Sequence, residues 1–89
     1  MAYVEVASLE SAALGQPSAA GDIFFRLGML FSIGMEVPAD KVAAHKWFNL
    51  AAARGNAEAI RHRRELADEM SEAEIAAAQR AAREWLTAH

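Results

Sequence analysis

The chain has no cysteine, and its two prolines fall at positions 17 and 38. Without cysteine there is neither a disulfide framework nor a thiolate metal site, which is compatible with a reducing cytoplasm. The three histidines, His45, His62 and His89, are not in HxxxH or HExxH spacing, so no metal site is expected from them. The longest nearly apolar run, Leu27 to Met35, is far shorter than the roughly 20 residues a membrane-spanning helix needs. The opening MAYVEVASLE carries Glu5 and Glu10 and no basic residue, so it lacks the basic start of a secretory signal. These absences predict a soluble, cytoplasmic protein with no membrane partner.

Catalytic patterns are missing too. No GxGxxG and no phosphate loop occurs, and no cofactor is expected. Ser8, Ser11, Ser18, Ser32 and Ser71 lack the context of a nucleophile elbow, and Ser18 and Ser71 read as helix caps. Glu72 and Glu74 read as the acidic first turn of a helix rather than a general-acid pair. A hydrolase needs a nucleophile, a base and an orienting group together. The expectation is a protein that is not an enzyme.

What the chain has in excess is alanine. The apolar share is 54%, but 22 of the 89 residues are Ala. Alanine favours helix while burying little area, so the composition promises helices more than a thick core. Large apolar side chains crowd between Ile23 and Leu50. After that Ile60, Leu66, Met70, Ile75, Trp85 and Leu86 must suffice. A single small domain is expected, one that gains from a partner or from self-association.

Charge is unevenly spread. Residues 1–40 sum to −4, residues 41–64 to +5 and residues 65–89 to −4. Intramolecular pairing on solvated helix faces is the plain reading of the middle block. The sharper reading is a basic 41–64 region for an acidic partner or nucleic acid. Against nucleic acid stand a pI of about 5.5 and the acids Glu58, Glu65, Asp68 and Glu69 beside Arg61, Arg63 and Arg64.

Helical periodicity organises the chain. Residues 1–17 read as a short helix or a tail, with Val4, Ala7, Leu9, Ala12 and Ala13 on one face and Gly15-Gln16-Pro17 breaking it. A helix follows, capped by Ser18 or starting at Asp22, and stops at Gly34. Phe24, Leu27, Gly28 and Phe31 share one side of it, with Gly28 open to close approach of another helix backbone. Phe25 and Met29 lie on the opposite side, where a surface helix is normally polar. Val37 is expected to plug the core from the loop, and Asp40 to cap a helix over about 41–54.

The inner stripe of that helix is Ala43, Trp47, Leu50 and Ala51, with Phe48 beside it. Gly55 ends it and Asn56 caps a third helix over 57–70, on which Arg63 lays its stem across apolar surface with its head in water. His45 reads as a surface partner of Asn49, His62 as solvated among arginines, and His89 as mobile. Ser71 to Glu74 forms a capping box for a last helix over 72–87. That helix places Ile75, Ala78, Ala82, Trp85 and Leu86 on one face, as a lid over the preceding pair.

The set Phe24, Leu27, Gly28, Phe31, Gly34, Val37, Pro38, Asp40, Ala43, Trp47, Phe48, Ala51, Ala52, Gly55, Asn56, Ala57 and Ala59 resembles the Sel-one-like repeat, a tetratricopeptide-like helical hairpin. Glu36 stands where the family usually has a second loop glycine. The next Leu-Gly pair of the pattern falls on Arg63-Arg64, a period of 36 residues and a degenerate copy. The resemblance implies an all-α helical-repeat domain over 18–89: a full repeat at 19–54, a half repeat at 57–70 and a capping helix at 72–87. It also implies protein–protein adaptor work through the first helix of the hairpin, where Phe25, Met29 and Ser32 are the candidate contacts. A second copy of the chain burying that face would serve equally.

Overall fold

The computed structural model describes residues 2–34 and 36–89, and is all-helical across them. Five α-helices follow in order: α1 (Ala2–Gly15), α2 (Ala20–Ile33), α3 (Lys41–Ala53), α4 (Ala57–Ala67) and α5 (Glu72–Ala88). A 3-10 turn at Pro17–Ala19 links α1 to α2. The first helix, of 14 residues, docks on the rest: Leu9 and Ala13 belong to the core. Val4, expected on that face, falls outside the described side chains.

Local chemistry explains most boundaries. Asp40, Asn56 and Ser71 each accept a hydrogen bond from the backbone N–H three residues on, satisfying a donor the helix itself leaves free. Ser71 and Glu74 complete a reciprocal capping box. Gly34 ends α2 in the left-handed conformation, φ 75°, which a side chain would resist. The start of α2 differs from expectation. Ala19, not Ser18, is the capping residue, without a side-chain bond, because Pro17 draws Ser18 into the 3-10 turn. The α4 helix also ends earlier than the expected position 70, at Ala67, where Asp68 to Met70 tighten into turns.

The α3 helix is central, packing against α2, α4 and α5, while α1 lies on α2. Two clusters of three rings clamp the α2–α3 pair. On one side Phe24, Trp47 and Trp85 lie 5.2–5.7 Å apart between centroids and bring in α5. On the other, Phe25, Phe48 and His62 lie 5.1–5.7 Å apart and bring in α4. Trp47, Phe24, Phe48 and Leu27 are the largest fully buried side chains, and dominate the apolar stabilisation of so small a core.

Alanine does the rest. Ala44, Ala51, Ala59 and Ala78 have no exposed surface, so the helices approach closely without interlocking long side chains. Gly28 extends the same device, but what it admits is the face of the Phe48 ring rather than a helix backbone. The α5 helix rests chiefly on α3 and reaches α2 through Trp85 against Phe24, rather than covering α3 and α4 as a pair. Leu86, expected on its buried face, is 47% exposed. No helix among the described residues is long and apolar enough to cross a membrane.

Candidate functional site

The candidate face of α2 is assembled from one helical turn and its flanks. Phe25 and Met29 are half-buried against the core, with the Phe25 ring edge-on to His62 and tilted on Phe48. Ser32 is exposed. Of the three candidates, then, one is exposed and two are half-buried. Near the same end of α2, a hollow of about 500 Å³ lies between Val6, Phe31 and the loop side chains Val37, Pro38 and Ala39. Val37 itself is buried.

The rest of the fold-defining set falls at the α2–α3 contact and its two ends. Leu27, Gly28, Trp47, Phe48 and Ala51 are buried, while Phe31 and Ala43 are half-buried at the border. Gly34, Asp40 and Gly55 set the turns. Asn56 does more than cap α4. Its Nδ2–H donates to Asp22 Oδ1 at 3.0 Å, tying the start of α4 to the first turn of α2. Further along the same two helices, His62 meets Phe25. Both contacts run from the N-terminal end toward the C-terminal end of each helix, although α2 and α4 make no broad contact.

The basic 41–64 block is largely spent within the chain. Arg61 donates to Glu58 at 2.8 Å and to Glu65 at 3.2 Å, and Lys41 lies 3.6 Å from Glu69. Arg63 Nη1 donates to Asn49 Oδ1 at 2.7 Å, so its head is bound in the α3–α4 seam rather than in water. The Lys46 ammonium sits 4.2 Å over the Trp47 ring, and burial lowers its pKa against the opposing pull of Glu10. Arg54 and Arg64 remain exposed without an ion pair among the described residues.

His45 and His62 are placed differently from expectation. His45 is 3% exposed, and its Nδ1 has no hydrogen-bond partner. Burial lowers its pKa below 6.5, and the Arg63 charge lowers it further. His62 stacks on Phe48, with Glu58 Oε2 4.0 Å from its Nε2. Its neighbours Arg61 and Arg64 hid a phase signal: Ala59, His62 and Leu66 share one face of α4. His89 stacks on Trp85 at 4.4 Å, with its Nδ1 2.9 Å from the Trp85 carbonyl.

Among the described residues no three of His, Cys, Asp and Glu gather to hold a metal ion. The polar groups that do converge, at Asn49 and Arg63 and at Asp22 and Asn56, hold helices to one another. Set beside known proteins, the chain matches no family model, no curated protein and no solved structure.

Proposed function

We propose that this chain is a tetratricopeptide-like helical-repeat module of the Sel-one-like kind, which binds a protein partner and carries out no chemistry. The observation that carries this reading is the Asn56–Asp22 hydrogen bond across 34 residues. It sets the start of α4 beside the start of α2, with α3 as the returning helix between them. Stacking successive hairpins in one sense is how helical repeats build a continuous surface. The full repeat is then α2 with α3, α4 opens a second and shorter copy, and α5 closes the end. The Sel-one-like resemblance of residues 24–59 supplies the adaptor role, with Phe25, Met29 and Ser32 on the helix that such repeats present. Binding to nucleic acid through residues 41–64 is the weaker reading, since most of those cations already have partners.

Position-specific crosslinking tests the proposal. A photoreactive residue placed at Ser32, at Leu86 or at Arg80, all exposed, reports which faces meet another protein in cells. A discrete adduct of defined mass from Ser32 or Leu86, with none from Arg80, is the expected result. No discrete adduct from any of the three positions, at normal abundance of the chain, would sink the interaction reading.

A further inference from the structure

Two shallow grooves meet at one exposed leucine on the α5 side of the molecule. One, of about 310 Å³, runs between α3 and α5, with buried Leu50 and Ala82 in its floor and exposed Gln79 and Arg83 beside them. The other, of about 230 Å³, is lined by Leu14, Pro17, Phe24 and Trp85, with Arg54 alongside. Leu86 lines both, and Leu14 and Leu86 each keep 47% of their surface exposed. Volumes at or below the roughly 300 Å³ lower end of small-molecule clefts suit single side chains rather than a compact ligand.

Arginines are the only fully charged side chains that line these grooves, and His89 lines the second beside Arg54. The chain carries 12 acidic residues, yet no carboxylate side chain lines either groove. Each has one arginine, Arg83 in the first and Arg54 in the second, both exposed and without an ion pair among the described residues. Glu84, next to Arg83 on α5, lines neither groove, and Asp22, next to Gly21 at the Arg54 carbonyl, is held by Asn56. Trp85, which lines the second groove and is 8% exposed, leaves its indole N–H without an acceptor.

We propose that the paired grooves dock a short acidic amphipathic segment of a partner protein. Two of its apolar side chains would seat on either side of Leu86 while its carboxylates meet Arg54 and Arg83. A second copy of this chain fits worse. A two-fold contact through this face would bring its own arginines together with no carboxylate to answer them. This inference rests on the reading of the chain as an interaction module and adds the face and the chemistry of the partner.

The test uses the whole ¹⁵N-labelled chain and two synthetic peptides, each with leucines along one helical face and either glutamate or lysine on the other. The glutamate peptide is expected to bind saturably, shifting the Trp85 indole N–H and the amides around Leu86, and to weaken as salt rises. Arg54→Gln with Arg83→Gln, or Leu86→Ser alone, should weaken it about tenfold, since these positions are exposed and the fold does not depend on them. Equal binding of the lysine peptide, or no shift with either peptide, overturns the proposal. Shifts centred on Phe25, Met29 and Ser32 also overturn it while leaving the interaction module standing. Light scattering on the same samples separates the last case: a dimer that Leu86→Ser dissociates gives this face to a second copy. Loss of the crosslinks described above, by contrast, removes the module itself.

Discussion

Gly28 and Phe48 fit face to surface: a Cβ built on Gly28 would overlap the Phe48 ring. The ring has little freedom to retreat, because it is 1% exposed and held by Phe25 and His62 on α2 and α4. Gly28→Ala should therefore destabilise the chain by about 1–3 kcal/mol through overpacking, despite alanine's better helix propensity. Urea denaturation measures this directly. If the ring is the obstacle, Phe48→Leu in the same chain should recover part of the Gly28→Ala loss, a coupling that a double-mutant cycle reads. An unchanged urea midpoint in Gly28→Ala would remove this account of the α2–α3 contact.

Phe25 separates folding from binding on α2. Its ring touches Phe48 and His62, so Phe25→Glu brings a charge to the edge of an aromatic cluster. A loss of about 1–3 kcal/mol is expected, against a change within about 0.5 kcal/mol for Ser32→Glu, two turns further along the same face and exposed. Equal midpoints for the two variants would mean that Phe25 contributes no packing and is free for a partner.

The contrast shows which parts of the fold were legible. Caps and stops were, because Asp40, Asn56, Ser71 and Gly34 act on backbone groups a few residues away, and that chemistry depends on residue type and spacing alone. The aromatic–small face of α2 and α3 was legible for the same reason, from periodicity. The seams with α4 were not. His62 and Arg63 carry polar names in a run of arginines, and only the phase with Ala59 and Leu66 points them inward. Gly28 was read correctly as a point of close approach and wrongly as to what approaches. Spacing locates a gap, but the element that fills it comes from the tertiary fold. The grooves beside Leu86 had no signal, because Leu14, Arg54 and Leu86 are brought together only by the docking of α1 and α5.

Asn56 and Asp22 share one hydrogen bond but not one role. Asn56→Ala removes both the cap on the Ala59 N–H and the link to Asp22, while Asp22→Ala removes the link alone. The first should cost about 1–2 kcal/mol, as lost caps do. The second should cost about 0.5 kcal/mol, because an exposed side-chain bond is in competition with water. Hydrogen exchange adds a local readout: Asn56→Ala should speed exchange in the first turn of α4 more than elsewhere. Uniform acceleration would show that the cap is not what orders that turn.

His45 gives the fold a dependence on pH whose sign follows from its burial. The folded state lowers the imidazole pKa, first by desolvation and then through Arg63 across the seam, while the unfolded chain titrates near 6.5. Other charges border the same seam: Lys41 with Glu69 at one end, and Asn49 occupied by Arg63 at the other. Because the unfolded state binds the proton more readily, stability is full above about pH 6.5 and falls as pH drops below it. Between about pH 6.5 and 5 most carboxylates are still ionised, which leaves histidine as the main titrating group. His45→Leu fills a similar volume, removes the orphaned Nδ1 and cannot charge. Its melting temperature should therefore fall less than that of the unmodified chain across this window. A slope as steep in His45→Leu as in the unmodified chain would free His45 from any part in the acid sensitivity.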